Sequence, residues 1–285
     1  MDAGLVTSLS GALATSKQVE LIANNLANAD TPGFKSDDLT FEESLTDAIA
    51  QDTRSDIPQR TPKDSELFSR AGDEVRPVLY GSQFVDFREG SMKQTGNPLD
   101  LAIKGNGFLE VATPSGVRLT RAGNLSVDST GRLTTRDGFL VLGPGQNTAN
   151  PETRAINVGS SNIIVDREGN IYRQEKGGNL LVGTLSLVSV ENPKGLKKEG
   201  NNLFEATADA LAKRKPASAE TPKTNPLGST LNPPEVIQGM VEGSNVNPIA
   251  EMTKLIDAHR SFDQNTKIMQ TMGNISQTVN EIGKF

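Results

Sequence analysis

Hydrophobic and polar residues alternate with two different periods, one at the ends of the chain and another in its middle. Near the N-terminus, apolar or small residues recur at alternating steps of four and three, the spacing of one helix face. They are Leu5, Leu9, Ala12, Ser16, Val19, Ala23 and Leu26. Pro32 and Gly33 follow in a turn sequence, because proline fixes φ and glycine tolerates positive φ. The pattern predicts a helix that ends near Asn28.

The C-terminal end carries the same period. Asn247 can cap a helix and Pro248 suits its first turn, so we predict a helix from there to about Ile282. Two adjacent apolar rows follow it, one of Ile268, Met272, Ile275, Val279 and Ile282, the other of Met252, Leu255, His259, Phe262, Thr266 and Met269. Since such helices gain stability from packing, the terminal helices are expected to pack on each other, on the central domain or in a multi-subunit bundle.

Between residues 99 and 190 the apolar residues alternate with polar ones, which is typical of short strands. Turn sequences separate these segments, among them Asp128–Gly131, Asp137-Gly138 and Asp166–Asn170. Leu180–Val190 is the longest predicted strand segment. Short strands with frequent glycine turns indicate an antiparallel sandwich or barrel-like domain.

Together these patterns predict an α+β chain, with a mainly antiparallel β central domain and long N- and C-terminal helices that form a coiled-coil-like module. The predicted division is 1–34 and 236–285 for the terminal helical module, 35–84 for an extended polar connection, 85–205 for the β-rich domain and 206–235 for a Pro-rich linker. A fragment of residues 30–240 is therefore expected to stay folded and monomeric.

Composition limits the chemistry. The formal net charge of −6 argues against general affinity for nucleic acid, and the lack of cysteine excludes thiolate nucleophiles and zinc–thiolate sites. No apolar run is long enough to cross a membrane. The single histidine, His259, is expected on an apolar helix side, and the paired acids Asp37-Asp38 and Glu42-Glu43 on a short solvent-facing helix. We predict no catalytic, cofactor-binding or metal-binding residues, no cofactor, and a protein that is not an enzyme.

Three stretches of sequence carry a family resemblance. The run from Ala23 to Lys35, ANNLANADTPGFK, resembles the N-terminal signature of flagellar basal-body rod and hook proteins. Thr95–Gly107 and Thr120–Asn124 resemble the central β-domain of the same family, and Gln238–Asn247 resembles the beginning of its C-terminal helix motif. The Met-Asp start and the segment Val85–Gly96 favour the proximal rod type over the distal one.

The resemblance implies a structural subunit of the bacterial flagellar rod, in which the terminal helices form the inner tube of an axial assembly and pass on torque. It implies partnership with other rod proteins and with further copies of itself, export by the flagellar type III apparatus without signal cleavage, and a location in the periplasmic rod of the basal body. The alternatives are a distal rod or hook paralogue, a hook-cap protein or regulator of export, and a β-domain that binds a carbohydrate or peptide ligand.

The predicted assembly interface combines apolar residues of both helices with asparagines of the signature. It comprises Leu5, Leu9, Val19, Leu26, Asn24, Asn25, Asn28, Ile256, Phe262, Ile268, Met272, Ile275 and Val279. The three asparagines are expected to satisfy backbone groups where the first helix leaves the tube, or simply to cap its end.

Overall fold

The computed structural model describes the chain at residues 2–43, 78–145, 150–160, 162–175, 178–190, 193–206, 214–216, 223–224, 230–231 and 234–282. Most of the predicted polar connection and of the predicted Pro-rich linker lies outside these residues. Both predicted helices are present, as α1 over Asp2–Ala27 and α2 over Pro248–Ile282. Asn247 caps α2 as predicted, since its Oδ1 accepts hydrogen bonds from the N–H groups of Ile249 and Ala250 at 3.1 and 3.3 Å.

In the part of the chain that the structure describes, twenty strands lie between the helices. The first ten are β1 (Asp37–Glu43), β2 (Val78–Val85), β3 (Met92–Gln94), β4 (Leu101–Lys104), β5 (Gly107–Thr113), β6 (Gly116–Thr120), β7 (Leu125–Val127), β8 (Leu133–Thr135), β9 (Leu140–Val141) and β10 (Ile163–Val165). The others are β11 (Asn170–Glu175), β12 (Gly178–Thr184), β13 (Leu187–Val190), β14 (Leu196–Gly200), β15 (Leu203–Ala206), β16 (Arg214–Pro216), β17 (Lys223–Thr224), β18 (Thr230–Leu231), β19 (Glu235–Gln238) and β20 (Met240–Glu242). The predicted α+β class with a mainly antiparallel centre and terminal helices is confirmed.

The largest sheet has the order β14-β15-β6-β5-β9-β8-β7, and β13 joins it by pairing with β5 and β16. A second sheet contains β10, β11 and β12 in sequence order. Four pairs complete the described strands: β1 with β2, β17 with β18, β19 with β4 and β20 with β3. The single strand predicted over Leu180–Val190 is divided into β12 and β13, because Leu185 and Ser186 interrupt the pairing.

The chain divides into two compact units. The helical unit comprises Met1–Ala27, Asp37–Phe84 and Asn247–Phe285, and the β unit comprises Asn28–Ser36 and Val85–Val246. Residues 236–246, predicted as part of the helical module, instead form β19 and β20 and belong to the β unit. Helical periodicity begins only at Pro248, and the preceding residues satisfy their backbone groups by pairing with β4 and β3.

In the helical unit, α1 packs against α2. A Cβ atom added to Gly11 would lie 3.3 Å from Asn265 Nδ2, so glycine allows a close approach of the two helices there. The buried side chains of α1 include Ser8, Ala12 and Ile22, and α2 buries Ala258. Ala12 of α1 and Ala258 of α2 are small side chains at buried positions, which suits helices that pack closely.

The β unit has two groups of buried apolar residues. The larger group brings together Leu101, Val111, Leu133, Ile171 and Val236, which come from five different strands. The smaller group is built around Phe87, Phe108 and Phe204, whose ring centroids lie 5.2 to 5.9 Å apart at steep interplanar angles. Edge-on aromatic packing of this kind adds to the stability that apolar burial provides.

Two hairpins of the β unit end in the same predicted turn. Asp128 accepts hydrogen bonds from the backbone N–H groups two and four residues later, and Asp166 does the same. The fourth residue of each turn is a glycine, Gly131 with φ of +83° or Gly169 with φ of +85°, and glycine adopts such values without steric cost. The acid at the first position and the glycine at the fourth are therefore both required by the turn.

Candidate assembly site

Several large apolar side chains of α2 are exposed in the helical unit. Ile249 is 78% exposed, Met252 51% and Ile256 54%, and they follow one another at steps of three and four residues. Ile268 and Ile275 are also exposed and are seven residues apart. At about 100° per residue, the first group lies opposite buried Ala258 and the second group about 90° away from it. The helix therefore has more apolar surface than one neighbouring helix can cover.

The exposed apolar surface of α1 is smaller. Leu9 and Leu13 are four residues apart, so they share one face, and each is about half exposed at 48% and 52%. Unpartnered apolar side chains on both terminal helices are the feature expected of an element that packs further on assembly.

The structure divides the predicted interface residues between buried and exposed faces. Val19, Leu26, Phe262 and Met272 are half-buried, and Leu9, Ile256, Ile268 and Ile275 are exposed. The side chains of Leu5 and Val279 lie outside the described part of the chain.

The apolar rows predicted for the helices coincide only in part with their buried faces. Ala12 of the predicted row in α1 is buried together with Ser8 and Asn25, whereas Ser16 and Ala23 of that row are exposed. The prediction followed side-chain hydrophobicity alone and therefore missed the buried Ser8 and Asn25. His259, expected on an apolar side, is exposed.

Asn25 joins the end of α1 to β1. Its Nδ2 donates a hydrogen bond to the Asp37 carbonyl at 2.8 Å, and its Oδ1 accepts one from the Asp37 N–H at 3.0 Å. Asn25 is 3% exposed, so water cannot easily replace these bonds. Asn25 therefore satisfies both backbone groups of Asp37, the first residue of β1.

The two other asparagines differ from Asn25. Asn28 holds the turn that follows α1, because its carbonyl accepts a hydrogen bond from Thr31 N–H at 3.1 Å and its Oδ1 accepts one from Thr31 Oγ1 at 3.2 Å. Asn24 is exposed. The paired acids predicted on a short helix instead begin and end β1, and Asp37 is buried.

The β unit contains a buried group of charges that sequence reasoning missed. Lys35 Nζ donates hydrogen bonds to Glu242 Oε1 at 2.7 Å and to the Arg88 carbonyl at 2.6 Å. The Gly90 N–H also donates to Glu242 Oε1, at 3.0 Å. Arg121 Nε lies 3.1 Å from Glu242 Oε2. We call Lys35, Arg121 and Glu242 the buried charge cluster.

All three side chains of the buried charge cluster are at most 1% exposed. Arg121 also donates from Nη2 to the Gly105 carbonyl, and its guanidinium lies 5.5 Å from the centre of the Phe108 ring. Burial, followed by the nearby Arg121 charge, lowers the pKa of Lys35, and burial lowers the pKa of Arg121. The Glu242 charge, and more weakly that of Glu89, opposes both shifts, and Glu242 is the carboxylate that contacts both buried cations.

The signature residues before Lys35 also lie in the β unit. Gly33 has φ of +71°, and a Cβ atom there would lie 2.6 Å from Ala122 N, so no other residue fits. Phe34 is 3% exposed, and Lys198 Nζ lies 3.8 Å from the centre of its ring. The same Lys198 Nζ donates to the Lys35 carbonyl at 2.8 Å. Each residue of the sequence Gly33-Phe34-Lys35 therefore has a distinct packing role.

The buried charge cluster unites the three stretches that carried the family resemblance. Lys35 ends the N-terminal signature, Arg121 lies in Thr120–Asn124, and Glu242 lies in Gln238–Asn247. A charged residue inside each motif was the available signal, but the pairing of these residues depends on the fold. In the described part of the chain, no group of acidic and histidine residues could hold a metal ion. No described helix is long and apolar enough to span a membrane.

Comparison with known proteins places these features in a family. The profile described as "Flagella basal body rod protein" matches residues 5–35, that of the "Flagellar hook protein FlgE/F/G D1 domain" matches residues 102–173, and that of the "Flagellar basal body rod FlgEFG protein C-terminal" matches residues 237–282.

Individual relatives match along nearly the whole chain. The flagellar basal-body rod protein FlgF of Caulobacter vibrioides is 30% identical over 100% of both chains, and FlgG of the same organism is 31% identical over 98% of both. FlgG of Bacillus subtilis is 30% identical over 96% of both. The chain therefore belongs to the flagellar basal-body rod protein family.

Proposed function

We propose that this chain is a structural subunit of the flagellar rod, located in the basal body, and that it joins neighbouring subunits through α1 and α2. The exposed apolar side chains of Ile249, Met252 and Ile256 carry the proposal, since they lie on the side of α2 opposite buried Ala258. Full burial of an exposed side chain of this kind contributes roughly 1.5–3 kcal/mol, and these partly exposed side chains would contribute a fraction of that on assembly.

The coiled-coil-like module is the assembled form in this proposal. One α1–α2 pair covers one face of each helix, and copies from neighbouring subunits cover the faces bearing Leu9, Ile256, Ile268 and Ile275. Identical subunits that associate head-to-tail build an open helical array, which suits a shaft that transmits torque. The remaining predicted interface residues, Leu5, Val19, Leu26, Phe262, Met272 and Val279, belong to the same proposed surface.

We also propose how the subunit reaches the rod and where it lies. The chain passes the flagellar type III export apparatus as an extended polymer, its helices pair with subunits in the periplasmic rod, and it performs no catalysis. Within the family we favour the proximal rod type, on the Met-Asp start and the Val85–Gly96 segment.

The exposed face of α2 provides the test. Ile256→Asp places a charge where the proposal requires apolar contact, whereas Ile256→Val keeps the site apolar. Because Ile256 is 54% exposed, both variants are expected to keep the helical circular dichroism of the purified subunit. Purified basal bodies should contain the Val variant at the normal level and at least tenfold less of the Asp variant. Equal incorporation of both variants would contradict assembly through this face.

A further inference from the structure

The last residues of the β unit pair with strands that have no other paired strand in the described part of the chain. We call residues 235–246 the closing segment. Its strand β19 pairs with β4, from Glu235 opposite Lys104 to Gln238 opposite Leu101, and its strand β20 pairs with β3. Leu101 and Val236 both belong to the larger apolar core. Until the closing segment is present, β3 and β4 lack a strand partner and the core lacks Val236.

The closing segment also ties β4 to the three-stranded sheet. Gln238 Oε1 accepts a hydrogen bond from Val165 N–H at 3.2 Å, and its Nε2 donates to the Ile163 and Pro98 carbonyls at 2.8 Å each. The Val236 N–H donates to the Arg167 carbonyl at 3.0 Å. A single side chain and its strand thus connect three separate parts of the β unit.

Glu242 adds an electrostatic requirement. It is the only carboxylate whose oxygens the structure places within 4 Å of Lys35 Nζ or Arg121 Nε in the described residues, and both cations are buried. Two buried cations without this carboxylate would be strongly unfavourable. The Glu242 carbonyl also accepts a hydrogen bond from Gly33 N–H at 2.8 Å, which attaches the signature to the closing segment.

Chain connectivity determines when these contacts can form. Lys35 and Glu242 are 207 positions apart, whereas hairpins such as β5–β6 join residues close in sequence. Contacts that close long loops have a large entropic cost and form late, after local pairing has shortened the effective loop.

We propose that docking of the closing segment is the last step in folding of the β unit. The unit then stays open until the part of the chain that contains Glu242 is available to fold. This rests on the proposed function, because an exported axial subunit benefits from a domain that cannot close while most of its chain is still in transit. The closing segment directly precedes α2 in the sequence. The residues that close the β unit are therefore followed at once by the helix that is proposed to join neighbouring subunits.

The refolding kinetics of the full chain test whether the closing segment docks last. The sequence contains no tryptophan, so Phe139→Trp, at a half-buried position beside the larger core, supplies a fluorescence probe in the β unit. In that background we compare Val236→Ala in the closing segment with Val111→Ala in β5. Both valines are buried in the same core, at 2% and 0% exposure, so the two truncations are matched.

Late docking predicts that Val236→Ala speeds unfolding by about tenfold and changes the refolding rate by less than twofold, whereas Val111→Ala slows refolding several-fold. A refolding slowdown for Val236→Ala that equals or exceeds that of Val111→Ala would overturn the proposal. A second matched pair, Val241→Ala in β20 and Val141→Ala in β9, gives the same comparison if either first variant fails to fold. The measurement needs no rod, so its failure is distinct from a failure of assembly.

Discussion

Lys35 Nζ and Glu242 Oε1 form a 2.7 Å ion pair between two side chains that are both 0% exposed and 207 positions apart. One residue ends the N-terminal signature and the other lies six residues before α2. The pair fixes the first and last segments of the β unit beside each other.

Replacing Glu242 is expected to harm the β unit more than replacing Lys35. Glu242→Gln leaves Lys35 and Arg121 buried without the one carboxylate that contacts both, with only the weaker influence of Glu89 remaining. It should lower the free energy of unfolding by about 3–5 kcal/mol. Lys35→Met keeps the Arg121–Glu242 pair and an unbranched apolar side chain, so it should lower the free energy of unfolding by less. Urea unfolding of both variants, followed by circular dichroism, measures the difference. An equal loss would show that the carboxylate does not balance both cations.

Asn25→Ala is expected to weaken the connection between α1 and β1. The variant removes both hydrogen bonds to the Asp37 backbone in a buried site, which should cost about 1–3 kcal/mol. Ser16→Ala in the same helix is the control, because Ser16 is exposed and a surface substitution usually changes stability by less than about 0.5 kcal/mol. Amide hydrogen exchange at Asp37 should accelerate in the first variant only. Unchanged exchange in Asn25→Ala would refute this role.

The hydrogen bonds of Asp128 predict that the stability of the protein depends on pH in a specific way. Its hydrogen bonds with Thr130 and Arg132 hold the pKa of this carboxyl well below its ordinary value of 3.8. A depressed pKa contributes stability that is complete above the unfolded value and is lost as pH falls through the folded one. The stability advantage over Asp128→Asn should therefore be constant near neutral pH and shrink once the pH is below about 4.

Thermal unfolding between neutral and acidic pH measures that advantage. Asp137→Asn, at an exposed turn, makes the same change of charge and serves as the control. An advantage of Asp128 that stays constant into strongly acidic solution would contradict the assignment.

The boundaries of the β unit change the fragment expected to fold. A fragment of residues 28–246 retains the closing segment and should show a cooperative thermal transition. A fragment of residues 28–240 lacks buried Val241 and Glu242, so it should lose that transition. The 30–240 fragment suggested by the sequence ends before Glu242 and should behave like the shorter one. Cooperative melting of the 28–240 fragment would show that the cluster is dispensable for folding.

Several features depend only on residues close together in the chain, and the sequence was enough to predict them. The four-and-three spacing placed both terminal helices, Asn247 marked the start of α2, and Asp128 with Gly131 marked a hairpin turn. Helix periodicity, capping and turn chemistry each involve only a few consecutive residues, which is why they could be read directly. The signature motifs likewise identified the family.

Contacts between residues distant in sequence became visible in the folded structure. It shows that strands β19 and β20 precede α2, that Ser8 and Asn25 lie on the buried side of α1, and that Lys35, Arg121 and Glu242 meet. Hydrophobicity favours solvent for a lysine or a glutamate, and nothing in the local pattern indicates a compensating charge 207 positions away. Desolvation and pairing of charges depend on the three-dimensional neighbours, so these residues acquire their role only when the chain has folded.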